Sequence, residues 1–199
     1  KPYTLILSIP MFPKNAGCTL AQGAAGDYDG YFDALAQQIK YRNLSVIARP
    51  GWEFGGGWYP WAVKTEADAT NYAAYFRRIA DAMRSVIPDL PFCWNAIWGW
   101  QPVNPGAAYP GEGYVDTIGV DVYDQSWIPN YADPEARWQD FLTSMYGGNW
   151  FVELSEDTGK PLSIPEWGLT IRGDGHGGGD APYFIDAMAD WFVENWVAW

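Results

Sequence analysis

The chain has 199 residues, 48% of them apolar, and a formal net charge of −12. That length suggests one domain with enough material for a buried core, and no apolar run reaches the roughly 18 residues of a membrane-spanning helix. An acidic surface repels phosphate backbones, so neither nucleic acid nor membrane is expected as a partner, and a neutral substrate fits.

The pattern along the chain alternates strand and helix. Thr4–Pro10 reads as a buried strand, and from Asp27 an apolar stripe of Phe32, Leu35, Ala36 and Ile39 predicts a helix. Ser45–Arg49 is the next strand. Thr65, with Asp68 three residues on, has the form of a capping box, opening a helix with Tyr72, Phe76, Ile79, Met83 and Val86 in line before Pro88. Phe92–Ile97 reads as a third strand. Gln101–Gly113 is rich in Pro and Gly and shows no helical period, so its crossover helix is degenerate or absent.

Thr117–Tyr123 is a fourth strand, with Gly119, Asp121 and Tyr123 on one face. Asp133 and Pro134 start a helix carrying Trp138, Phe141, Leu142 and Met145. A fifth strand leads to Glu166, Asp180 and Pro182 open a last helix, and Trp196–Trp199 looks like the start of a sixth strand. Repeated strand–helix units imply a parallel sheet, and polar groups near a strand's carboxyl end fit the mouth of a β/α barrel. A doubly wound sheet usually carries a Gly-rich phosphate turn after its first strand, which is not found here.

Two glutamates stand at strand ends among tryptophans. Glu53 lies in Arg49-Pro50-Gly51-Trp52-Glu53-Phe54-Gly55-Gly56-Gly57-Trp58-Tyr59-Pro60-Trp61, and Glu166 in Pro165-Glu166-Trp167-Gly168. The 113 residues between them match three β/α units, which puts both on one rim. Paired carboxylates beside flat aromatic rings are what glycosidic bond cleavage needs: one moves a proton, the other attacks carbon, and the rings hold sugar faces. The 13 tryptophans are more than a core of this size requires; those in Gly/Pro-rich strand ends are candidates for ligand contact.

These residues resemble glycoside hydrolase family 26, the β-mannanases and related β-glucanases of the retaining (β/α)8 clan. Arg49, Pro50, Glu53, Gly56, Trp58 and Trp61 match the segment around the family's acid/base glutamate. Asp121 and Tyr123 match its Asp-x-Tyr, and Glu166, Trp167 and Gly168 match the nucleophile's Glu-aromatic-Gly. The resemblance implies an α/β, (β/α)8 TIM-barrel-type fold, incomplete because strands one and two and most of strand eight are missing. Residues 1–199 would form a single partial catalytic domain.

It also implies retaining endo-hydrolysis of β-linked polysaccharide by double displacement, with Glu53 and Glu166 catalytic. Arg49, Trp58, Trp61, Asn95, Trp98, Asp121, Tyr123 and Trp167 are the substrate-binding candidates, Tyr123 as a hydrogen-bond donor to Glu166. The family's His before the acid/base is Trp52 here, an indole that donates one hydrogen bond and cannot titrate. The rival from another class is a non-catalytic carbohydrate-binding protein derived from a truncated barrel, which the same tryptophans would serve.

An open sheet leaves unpaired edges, so one of two things is expected: the chain is a fragment of a longer protein, or its edges are covered by self-association with another copy. No cofactor or metal is expected, since no Cys/His cluster has zinc spacing. Cys18 and Cys93 leave a disulfide and two separate thiols both open. The Gly-rich stretch Gly173–Asp180 around His176 reads as a mobile loop that touches nothing. The protein is expected to be extracellular, with its leader peptide outside this chain.

Overall fold

The computed structural model describes residues 3–195, 197 and 198. The chain divides into two compact units. One runs to Ala96 and resumes over Gln101–Thr117; the other takes Ile97–Trp100 and the chain from Ile118 onward.

In the first unit, β1 (Leu5–Ile9) and β2 (Val46–Pro50) pair in parallel, from Leu5↔Val46 to Ile9↔Pro50. Their connection holds α1 (Leu20–Ala25) and α2 (Asp29–Tyr41). The periodicity pointed to α2 alone. At six residues α1 is too short for an apolar stripe, and its signals are caps: the Thr19 side chain accepts from Gln22 N–H, and Gly26 closes the helix at φ 94°. Gly23 of α1 lies under the Tyr75 ring, where a Cβ would come within 2.3 Å of it.

The long helix α3 (Glu66–Val86) begins with the expected capping box between Thr65 and Asp68, and its Tyr72, Phe76, Ile79 and Met83 stripe is fully buried. After α3 comes β3 (Cys93–Ile97), whose approach bridges Ala48 to Phe92 in parallel. The Pro/Gly-rich connection then contributes only a short 3₁₀ turn, Pro105–Ala108, capped by Asn104. Arg84 of α3 fastens this connection by donating to the carbonyls of Leu90 and Gly113 and to the Asp116 carboxylate. Cys18 and Cys93 form no disulfide.

In the second unit, β4 (Thr117–Asp124) is the central strand. The single strand expected before Glu166 is two short ones, β5 (Leu162–Ser163) and β6 (Trp167–Leu169), both parallel to β4. The register offset is 44 residues at Ile118↔Leu162 and 45 at Val122↔Trp167, so one extra residue is accommodated over Ile164–Glu166. Pro165 sits within this interruption, and proline has no N–H for the ladder.

Helix α4 (Pro134–Thr143) starts at the expected Asp133 cap. It is followed by α5 (Gly148–Thr158), which the sequence pattern did not predict, with Gly147 at its N-cap and no side-chain cap. Helix α6 (Pro182–Glu194) buries Phe184, Met188 and Trp191; its N-cap is Ala181, with no side-chain bond, rather than Asp180. Of the expected sixth strand, Trp196 and Trp199 lie outside the described residues, while the Ala198 N–H donates to the Leu162 carbonyl at 2.8 Å. No helix among the described residues is long and apolar enough to cross a membrane.

Candidate active site

In the first unit, the chain leaves β2 at Pro50 and turns sharply. Gly51 has φ 64°, and Glu53 itself has φ 53°, the left-handed region that costs an L-residue roughly 1–2 kcal/mol. The turn is pinned where it is strained. Glu53 N–H donates to the Asn95 carbonyl at 3.1 Å, Gly56 N–H donates to the Glu53 carbonyl at 3.0 Å, and Val63 N–H donates to the Phe54 carbonyl at 2.8 Å. Beneath it, fully buried Phe54 packs on Tyr72 and Trp94 at ring distances of 4.5 and 5.4 Å.

The Glu53 side chain is half-buried and accepts at Oε2 from the Trp58 indole N–H at 3.0 Å. Trp58 is 56% exposed, so its ring has an open surface. Trp61 differs: it is buried, donates its N–H to the Trp52 carbonyl, and stacks on Tyr59 at 4.6 Å. Trp52 gives its own N–H to the Tyr59 hydroxyl at 3.0 Å and receives the Arg49 guanidinium 5.6 Å from its ring centroid. The Trp52 indole therefore builds the turn.

Arg49 is 1% exposed and Asn95 fully buried. The Asn95 Nδ2 donates to the Ala96 carbonyl, while among the described residues its Oδ1 accepts nothing. Gln101, which no sequence signal marked, is buried beside Gly55, where a Cβ would fall 1.8 Å from its Oε1.

In the second unit, the extra residue before β6 sets Glu166 at the strand's start. Its carbonyl accepts from Val122 N–H at 2.8 Å, and its carboxylate Oε2 accepts from the Tyr123 hydroxyl at 3.2 Å. Tyr123 lies opposite Gly168 in the register. Asp121, two residues back on the same face of β4, is buried. Trp167 is partly exposed, with its ring edge-on to Phe192 at 5.2 Å. Trp98 is half-buried, edge-on to Phe141 at 5.6 Å.

The sequence-predicted residues thus fall into two groups: Arg49, Glu53, Trp58, Trp61 and Asn95 in the first unit, and Trp98, Asp121, Tyr123, Glu166 and Trp167 in the second. In each, a glutamate at a strand end takes a hydrogen bond from an aromatic side chain.

The model of a family described as Glycosyl hydrolase family 26 matches residues 22–196. The chain is 27% identical over 188 residues to a mannan endo-1,4-beta-mannosidase of Bifidobacterium adolescentis, covering 85% of this chain and 18% of that one. It is 32% identical over 128 residues to endoglucanase H of Acetivibrio thermocellus, covering 58% of this chain and 13% of that one. The chain therefore spans less than a fifth of the length of either curated relative. Among solved structures, a double mutant of Cellulomonas fimi endo-beta-1,4-mannanase matches with a TM-score of 0.63 at 18% identity, over 94% of this chain and 44% of that one. That likeness shows the fold to be α/β of the TIM-barrel type.

Proposed function

The chain belongs to glycosyl hydrolase family 26, and we propose that it is a retaining endo-glycoside hydrolase acting on β-linked polysaccharide of mannan or β-glucan type. Both of its units are read as parts of one incomplete barrel-type catalytic domain. What carries the reading is the hydrogen-bonded setting of the two strand-end glutamates: Glu53 with Trp58, and Glu166 with Tyr123.

In the first step Glu53, carrying its proton, donates it to the glycosidic oxygen as the bond to the leaving sugar breaks. Glu166 forms a bond from its carboxylate oxygen to the anomeric carbon. In the second step Glu53, now ionised, takes a proton from water, and the resulting hydroxyl displaces Glu166 with a second inversion, so the configuration is retained. Tyr123 holds the Glu166 carboxylate in one orientation. Trp58 and Trp167, the more exposed tryptophans of the set, offer stacking surfaces; Trp61 is packed against Tyr59 and Trp98 against Phe141. Arg49, Asn95 and Asp121 are buried, so their part in this reading is to back the glutamate segments from beneath rather than to touch sugar.

Names of relatives guide the substrate class: one is a mannan endo-1,4-beta-mannosidase and another an endoglucanase. The expected setting is extracellular. The exposed apolar side chains of Tyr3, Leu5 and Ile6, on and beside β1, support self-association along that edge. Size-exclusion chromatography showing a stable monomer at all concentrations would contradict the association.

The experiment for the reaction is a mannan and β-glucan panel followed by proton NMR of the first products. Products should appear with the β anomeric configuration and mutarotate afterwards. Glu53→Ala and Glu166→Ala should each lower sugar release by about 10²–10⁴-fold or more. Full activity in either variant overturns the assignment, and polysaccharide binding without release selects the non-catalytic carbohydrate-binding rival.

A further inference from the structure

The Gly-rich stretch after β6 is anchored, contrary to the expectation of a loop that touches nothing. Gly177 bridges Gln125 in antiparallel fashion, Ser126 N–H donates to the His176 carbonyl at 3.1 Å, and Gly178 N–H donates to the Asp124 carbonyl at 2.8 Å. The His176 Nδ1 meets the Ser126 carbonyl at 2.9 Å. Beneath this loop, Arg137 and Asp124 form a buried forked pair at 2.6 and 2.9 Å, and Gly178 passes so close that a Cβ would sit 1.8 Å from Asp124 Oδ2. The glycines therefore let the backbone lie directly on a rigid charged floor.

What this scaffold holds up is an indole. Trp127 is 56% exposed. The Arg172 guanidinium carbon lies 5.0 Å from its ring centroid, and the His176 ring lies 5.6 Å away with planes only 21° apart. Arg172 is itself fixed, donating to both oxygens of Asp174 and, at 3.0 Å, to Gln125 Oε1. Such fixing exceeds what packing alone asks of a side chain left more than half in water.

We propose that Trp127, with Arg172, Asp174 and His176 at its border, is an additional glycan subsite that takes a neutral hexose unit of the chain being cleaved. This rests on the reading of Glu166 as the nucleophile. One observation and two physical arguments set the ligand class. Asp174 already neutralises the Arg172 guanidinium, so an anion gains little there. A purely apolar partner would strip water from the charged groups at the border, which is costly. A pyranose presents C–H groups to an indole face and hydroxyls to carboxylate, guanidinium and imidazole around it.

Location fits the same ligand. β4 and β6 run in parallel, so Trp127 lies beyond the carboxyl end of β4, four residues past the Tyr123 that bonds Glu166. Four residues of chain reach at most about 14 Å, within the length of a short oligosaccharide anchored at Glu166.

The test uses the whole chain and a ladder of β-1,4-manno- and cello-oligosaccharides from disaccharide to hexasaccharide. Affinity is measured by calorimetry in the Glu166→Ala background, with and without Trp127→Ala. The ratio of affinities should grow with ligand length and reach about tenfold at the hexasaccharide, equivalent to about 1.4 kcal/mol. Trp127→Phe, which keeps a flat ring, should recover part of that loss, and unchanged thermal midpoints exclude unfolding as its cause. A length-independent ratio near one overturns the subsite while leaving the proposed hydrolysis standing. Length-dependent binding that needs Trp127, in a chain whose unsubstituted form releases no sugar, supports the subsite and overturns the hydrolysis. Absence of binding by any member of the ladder overturns both.

Discussion

The Tyr123 hydroxyl donates to Oε2 of Glu166 at 3.2 Å, across the register pair that β4 and β6 make at Tyr123 and Gly168. The two residues meet because of the one-residue change in offset before β6, which alters where Glu166 falls relative to its neighbour strand. Removing the donor alone tests what it contributes. Tyr123→Phe keeps the ring and the ladder, and a hydrogen bond to a charged group contributes about 1.5–3 kcal/mol. Steady-state kinetics on the preferred polysaccharide should show kcat/KM down by about 10–100-fold, with the melting midpoint little altered. Wild-type kinetics would remove Tyr123 from the mechanism.

Glu53 carries a positive φ of 53°, a conformation held in place by the bonds of its N–H to Asn95 and of its carbonyl to Gly56. A glycine adopts that conformation without the Cβ penalty, whereas alanine retains the penalty. Glu53→Gly should therefore be more stable than Glu53→Ala by about 1 kcal/mol, the reverse of the order in a helix, while both are inactive. Thermal or urea unfolding of the two variants side by side decides it: equal stability, or alanine ahead, would mean that the turn relaxes once the carboxylate is gone.

Trp58 combines two roles in one ring, because its N–H reaches Glu53 while much of its surface faces solvent. Phenylalanine separates them. Trp58→Phe should lower kcat, by about tenfold for a charge-assisted bond of about 1.4 kcal/mol or more, with a smaller rise in KM. Trp58→Ala should add a further rise in KM from the lost sugar-stacking face. If the phenylalanine variant changes only KM, the indole N–H has no bearing on the reaction.

The strand-end placement of both glutamates and the Tyr123 bond to Glu166 were legible in the sequence, because strand-end position and aromatic context are local signals. The capping box at Thr65 and the stripe of α3 were legible for the same reason. Helix α1 was not, since six residues cannot display a period, and α5 lacked a side-chain cap to announce it. The change of offset before Glu166 depends on pairing with a strand more than 40 residues earlier, and only Pro165 hinted at it. Trp61 looked like a surface for sugar but is buried under Tyr59, a distinction that hydrophobicity cannot make. The loop around His176 was misread because glycine signals flexibility until a close-packed floor such as Asp124 explains the missing side chains.

That loop gives a prediction in pH. Hydrogen bonds from Arg172, and then from the His176 backbone, hold the Asp174 carboxyl down at about 2 against an ordinary value of 3.8. A depressed carboxyl stabilises the folded loop above its unfolded value, and that stabilisation is lost as pH falls through the folded one. The clamp on Arg172 should thus be intact above pH 3.8 and release progressively between there and about pH 2. Arg172 lies against Trp127, so the indole reports the event. Fluorescence of a chain in which Trp58, Trp100 and Trp167, the other exposed tryptophans among the described residues, are phenylalanine should change across that window. Asp174→Asn, with no carboxyl to protonate, should flatten the change, and 1 M salt should weaken the pairing because screening then acts over about 3 Å. Superimposable titrations of the parent and Asp174→Asn would show that something other than this pair holds Arg172 on the ring.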